Sequence, residues 1–288
     1  MVQLISKLQY KNCETGEFFD ISSRSLEETQ ALITGFPWKQ EREMASVYLT
    51  CPSITIEHPS GHILKLGPYY NGKFSLYLLD CTGVVSQKIL LSIEDSFAVI
   101  SDFFNDKDIA GGFTKMSFTW DGKKHFLTNR FEYTVTPKRV IRYLLFPEGF
   151  GILYMIALIL SGHRTTFLKA VMFMFITSTV LYGINTYLLF NYYFFSRNLY
   201  LRMSKAHDSF LFGPKDEIKE YAKADIEIVF LYKNQGRRCP WGNYIVYDIC
   251  LKNGDRLHFP SLLLGRYDLS NKLPGVKFEE IHDDIATC

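Results

Sequence analysis

The residues able to do chemistry are scattered rather than grouped. Seven histidines and six cysteines occur in 288 residues, and none falls into a metal-ligand spacing such as CxxC or HExxH. His58 and His62 stand four apart, which on a helix would place both imidazoles on one face. Pro59-Ser60-Gly61 puts them instead across a turn, as exposed hairpin residues. His125 follows Asp121-Gly122-Lys123-Lys124 and reads as a solvated hairpin residue. His258 alternates with Leu257 and Phe259 and so faces away from a core, and His282 with Asp283 and Asp284 reads as a charged tail. No GxSxG nucleophile elbow and no GxxxxGK[ST] phosphate loop is present. The expectation is a protein with no catalytic residue, no metal and no cofactor.

Two groups suit binding. Arg237, Arg238 and Trp241 share a loop rich in glycine and proline, Asn234–Trp241. Paired guanidiniums beside an indole suit anionic headgroups and an interfacial ring; a solvated loop is the plainer reading. Tyr69, Tyr70 and Lys73 flank Asn71-Gly72. Tyrosine is favoured at interfaces, so this aromatic tip is a candidate partner contact; two tyrosines packing at a strand end is the plainer alternative. Lysine and arginine number 32 against 30 acidic residues, which argues against a nucleic-acid binder that works by bulk charge.

The elements that position these groups divide the chain. Residues 1–137 read as an α+β domain. Ser25-Leu26-Glu27-Glu28 is a capping box that opens a helix, and Gly35 is its natural stop. Short alternating segments follow as an antiparallel meander: Ser46–Thr50, Ser53–Glu57, His62–Gly67, Lys73–Leu79 and Gln87–Leu91. Asn71-Gly72 predicts a hairpin turn, because both residues of a type I′ turn need positive φ. Ile93, Phe97, Ile100 and Phe104 form the apolar stripe of a second helix. Strands at Lys115–Trp120 and Phe131–Thr136 end the domain.

The middle of the chain is apolar. Ala170 to Phe195 carries no charge, and Tyr143 to Gly162 nearly none. A membrane-crossing helix needs about 20 apolar residues, so 138–198 is expected to be a two-helix transmembrane hairpin turning at Ser161–Thr166. Lys138, Arg139 and Arg142 precede it, and Arg197, Arg202 and Lys205 follow it. These outnumber Arg164 and Lys169 in the turn. Both termini are therefore expected in the cytoplasm of a multi-pass inner-membrane protein. The first residues lack the apolar core of a secretory signal. Residues 199–213 read as a juxtamembrane linker, and 214–288 as a small β-rich domain with strands at Asp225–Tyr232, Tyr244–Leu251, Asp255–Phe259 and Val276–Ile281.

An apolar hairpin followed by these strands resembles bacterial membrane-anchored proteins with a pleckstrin-homology-like domain. The helix, meander and helix of 1–137 are similar in layout to small α+β immunity proteins of bacterial toxin systems. The resemblances imply an interaction protein that binds the lipid bilayer and a protein partner, and not nucleic acid. Immunity to a toxin and a membrane enzyme acting on lipid are the alternatives.

Overall fold

The computed structural model describes residues 2–42, 49, 52–116, 122–141, 183, 186–234 and 244–283. The chain divides into two compact units, Met1–Arg130 and Phe131–Cys288.

The first unit is built on a seven-stranded antiparallel sheet. Its strands are β1 (Leu4–Gln9), β2 (Phe19–Arg24), β3 (Ser53–Glu57), β4 (Ile63–Pro68), β5 (Phe74–Leu79), β6 (Val85–Leu90) and β7 (Thr114–Lys115), in the order β2-β1-β3-β4-β5-β6-β7. One face carries Leu4, Leu8, Ile54, Ile56, Leu64, Leu66, Leu76 and Leu78. Helices α1 (Leu26–Gly35) and α3 (Glu94–Phe104) supply Ile33, Ile100, Phe103 and Phe104 to the same core, and the short α2 (Trp38–Glu41) supplies Trp38. The capping box at Ser25 forms as read: the Glu28 amide donates to Ser25 Oγ at 3.2 Å, and the Ser25 amide to Glu28 Oε2 at 2.7 Å.

Sequence reading passed over β1 and β2, and the cause is chemical. In Leu4–Gln9 the side chains pointing away from the helices are Ile5, Lys7 and Gln9, and both Lys7 and Gln9 are buried. Polar residues on a buried face hide a strand from any test of hydrophobic alternation.

The second unit is a sandwich of two four-stranded sheets. One runs β11-β10-β9-β8, from β8 (Glu132–Tyr133), β9 (Leu199–Arg202), β10 (Ser209–Pro214) and β11 (Lys219–Ala222). The other runs β14-β13-β12-β15, from β12 (Ile226–Asn234), β13 (Ile245–Leu251), β14 (Arg256–Pro260) and β15 (Lys277–Asp283), the last lying parallel to β12. Leu201, Met203, Phe210 and Phe212 from the first sheet meet Val229, Leu231, Tyr247, Ile249 and Phe259 from the second. Residues 186–196 are helical and form α4; Arg266–Lys272 is α5, whose Leu269 closes the core.

Residues 199–213, read as a linker, therefore include two strands of the sandwich. Their period is two: Leu201, Met203, Phe210 and Phe212 all point inward. Glu132–Tyr133, read as part of the last strand of the first region, pairs with Leu201–Arg202 in the second unit.

The expected fold class is corrected at its centre. Among the described residues no helix is long and apolar enough to cross a membrane. The transmembrane hairpin over 138–198 does not stand, nor does the multi-pass inner-membrane location with both termini cytoplasmic. Residues 142–182, 184 and 185 of that stretch lie outside the described residues. The end of the expected second span is α4, and one face of it packs on the second unit. Leu188, Leu189 and Tyr192 are buried against Tyr244, Val246 and Leu262.

The β4–β5 hairpin carries a direct test of the turn chemistry. Asn71 has φ 53 and ψ 38, Gly72 has φ 78, and the Lys73 amide donates to the Tyr70 carbonyl at 3.1 Å, which is type I′ geometry. Replacing Gly72 with valine forces a β-branched residue into that conformation, so Gly72→Val is expected to cost about 1–3 kcal/mol. Chemical denaturation of the full chain measures it, and an unchanged midpoint would contradict the turn assignment.

Candidate interaction surface

Helix α4 has two apolar faces with different fates. Leu188, Leu189, Tyr192 and Ser196 turn inward and are buried. Tyr192 meets the Tyr244 ring edge-on at 5.2 Å, and the Ser196 hydroxyl returns to the Tyr192 carbonyl. Tyr187, Phe190 and Phe194 recur at i, i+3 and i+7, which is one stripe of a helix, and they are 59%, 55% and 56% exposed. The Phe190 and Phe194 rings stack at 6.1 Å, and the Arg197 guanidinium lies over Phe194 at 5.2 Å. The result is an aromatic stripe with a cation at its end, mounted on a docked helix.

Beneath α4 the outer face of the second sheet carries Asp248 and His258, opposite each other on β13 and β14. Asp248 is buried and accepts from Arg256 Nη1 at 3.1 Å. Burial lowers the His258 pKa, and the Asp248 charge pulls the other way. The Phe195 ring meets the imidazole edge-on at 5.7 Å.

The basic residues flanking the apolar stretch separate into two kinds. Lys138 is exposed on a helical turn at 137–141. Arg139 is half-buried and donates to the carbonyls of Leu262, at 3.4 Å, and Leu263, with its guanidinium over the Tyr133 ring at 5.8 Å. Val140 packs with the inward face of α4, so both roots of the stretch meet on one patch. Arg202 sits exposed on β9 opposite Glu132 and Leu211. Lys205 lies between β9 and β10, and its carbonyl accepts from Lys223 Nζ at 2.9 Å. Arg142, Arg237, Arg238 and Trp241 lie outside the described residues.

In the first unit, Tyr69, Tyr70 and Lys73 come together at the β4–β5 tip. The two rings meet edge-on at 5.3 Å, and Tyr70 is exposed. Arg42, which sequence reading did not select, donates to the Lys73 carbonyl at 3.2 Å and lies over the Phe74 ring at 4.7 Å.

Sequence reading also missed a polar layer on the sheet face opposite the helices. Lys7 on β1, Thr55 on β3, Lys65 on β4 and Tyr77 on β5 are successive cross-strand neighbours. Both ammoniums are buried, at 0% and 1% exposure. Lys7 Nζ pairs with Glu57 and donates to the Phe126 carbonyl at 2.7 Å and to Thr128 Oγ1 at 3.2 Å. Lys65 Nζ donates to Gln9 Oε1 at 2.7 Å and to the His125 carbonyl at 2.8 Å. The Phe18 ring stands 4.0 Å from the Lys7 ammonium. Desolvation lowers the Lys7 pKa, and Glu57 opposes the shift. His125, expected as a solvated hairpin residue, is half-buried on this layer. The segment carrying it lies across the sheet because two ammoniums need its carbonyls. No residue spacing announces this; Lys65 inside the expected strand His62–Gly67 was the only signal.

The four strands β8 to β11, the three strands β12 to β14 and the closing helix α5 form a consecutive array. Residues 132–272 match the family model of a PH domain. The match opens at the first residue of β8 and closes at the last residue of α5. It thus runs across the whole apolar stretch and leaves β15 outside. It supports the pleckstrin-homology-like likeness, though not the bacterial or membrane-anchored part of it, and the first unit is not recognised. No curated protein and no solved structure matches the chain. A PH domain is a module for binding proteins or lipids, not a catalytic one.

The two faces of α4 predict opposite responses. Tyr192→Ala removes a fully buried ring and is expected to destabilise the PH region by about 3–5 kcal/mol. Phe190→Ser on the exposed face should stay within about 0.5 kcal/mol of wild type. Denaturant titration of the two full-length variants distinguishes them; equal losses would contradict the docking of α4 through its Leu188–Tyr192 face.

Proposed function

We propose that this is a non-catalytic interaction protein whose PH-domain region engages a protein partner through the exposed aromatic face of α4. The observation that carries the reading is the stripe of Tyr187, Phe190 and Phe194, held outward by a helix whose other face is anchored in the domain. Aromatic side chains with a neighbouring arginine have the composition of binding hot spots. The PH match supports a binding role in general, for a protein or for a lipid. The cation over Phe194 favours a second reading of the same face, contact with an anionic lipid surface, where a charge near the headgroups is worth about 1 kcal/mol. The Tyr69, Tyr70 and Lys73 tip is proposed as a separate partner contact of the first unit.

Site-specific photo-crosslinking in cells tests the reading. A benzophenone side chain at Phe190 or Phe194 of the full chain is expected to give a discrete protein adduct. The same probe at Tyr267, which is 82% exposed on α5, should not. Phe190→Ser combined with Phe194→Ser should lower capture by a probe at Tyr187 at least about tenfold, the loss of one hot spot of about 1.4 kcal/mol or more. Adducts to lipid alone would replace the protein reading with the lipid one, and equal labelling at Tyr267 would overturn both.

A further inference from the structure

We propose that residues 122–130 form an acid-sensitive latch on the sheet of the first unit, closed while His125 is neutral and released when it takes up a proton. Hydrogen bonds hold the segment down. Lys7 Nζ reaches the Phe126 carbonyl and Thr128 Oγ1, Lys65 Nζ reaches the His125 carbonyl, and the Asn129 amide donates to the Gly16 carbonyl at 2.8 Å. Gly16 sits at φ +81, and a Cβ there would come within 2.8 Å of the Leu127 carbonyl, so the two stretches are in close apposition. Phe126 is fully buried between them and the sheet, with Tyr77, Leu79 and Val85.

His125 is the weak point of this closure. Its ring bonds the Leu49 carbonyl, and its Nδ1 is buried with no hydrogen-bond partner among the described residues. A bare Nδ1 is tolerable as an unused acceptor of a neutral imidazole. Protonation turns it into a buried donor without an acceptor. It also places a positive charge beside Lys65, whose ammonium already binds the carbonyl of the same residue. Among the described residues the other charged groups on this layer are Lys7 on β1 and Glu57 on β3, which pair with each other. Among the described residues, Tyr77 on β5 and the buried Glu17 before β2 are further titratable neighbours, and Lys123 and Lys124 on the segment itself add positive charge. Burial and then the Lys65 charge lower the His125 pKa, against a smaller upward pull from the Leu49 carbonyl.

The sign follows. A histidine whose closed-state pKa lies below its open-state value of about 6.5 costs nothing at higher pH. Below that value the open state binds the proton first, so closure weakens as pH falls until the closed-state pKa is reached. Amide hydrogen exchange on the full chain reads this directly. Protection of the Phe126, Leu127 and Asn129 amides, corrected for the intrinsic pH dependence of exchange, is expected to fall between pH 7.5 and pH 5.5, by at most about tenfold. His125→Gln keeps a donor for the Leu49 carbonyl and cannot titrate, so its protection should not change over that range. Equal falls in wild type and His125→Gln would overturn the latch. Should His125→Gln fail to fold, the wild-type imidazole decides by nuclear magnetic resonance titration: a pKa below 6.5 together with the fall in protection supports the latch, and a pKa at or above 6.5 overturns it.

Discussion

The second unit depends on one short pairing. Glu132–Tyr133 lies against Leu201–Arg202, and between them the chain makes an excursion over residues 134–198. Bringing the ends of so long a loop together costs about 4 kcal/mol in chain entropy, which two residues of β-ladder do not supply alone. The difference comes from the roots of the excursion. Val135 and Val140 on one side and Leu188, Leu189 and Tyr192 on the other bury themselves on Tyr244, Val246 and Leu262, and Arg139 reaches the carbonyls that follow β14. Burying a large apolar side chain is worth about 1.5–3 kcal/mol, so this patch more than offsets the closure. The sandwich can therefore carry a long interruption inside its first sheet and remain one folded unit.

The first unit solves a different problem, with two chemistries on the two faces of one sheet. The helix-covered face is apolar and fixes register, since a slip by one residue would send Leu4, Ile54, Leu64 and Leu76 to the wrong side. The other face buries two ammoniums. A buried cation costs several kcal/mol unless its donors are met, and here backbone carbonyls of 125 and 126 help to meet them. Segment 122–130 is thereby held by hydrogen bonds to buried cations as well as by the burial of Phe126.

How much of this was legible depended on whether the residues obeyed one rule at a time. Ser25 and Glu28 announce their helix because capping chemistry is local. Asn71-Gly72 announces its turn because positive φ is local too. Lys7 and Gln9 concealed β1, since the partners that justify their burial, Glu57 for Lys7 and Glu17, Ser53 and Lys65 for Gln9, all lie outside the strand. The strands at Leu199–Arg202 and Ser209–Pro214 were hidden by position: after an apolar stretch, basic residues among leucines and phenylalanines invite a surface reading. The aromatic face of α4 was hidden inside an uncharged run, since the partners of Leu188, Leu189 and Tyr192 lie more than 50 residues further along the chain, at Tyr244, Val246 and Leu262.

Helix α4 shows why summed hydropathy misleads. Leu188, Leu189 and Tyr192 are apolar because a sheet covers them; Tyr187, Phe190 and Phe194 are apolar and uncovered. A sliding window adds the two faces and reports one continuous apolar run, although only their separation around the helix carries meaning. The exposed rings are also ordered before any partner arrives. Phe190 stacks on Phe194, Arg197 lies over Phe194, and the helix beneath is fixed by its inner face. Aromatic side chains have few rotatable bonds to immobilise, and these are already restrained by one another. A partner meeting such a face would therefore spend little on side-chain entropy.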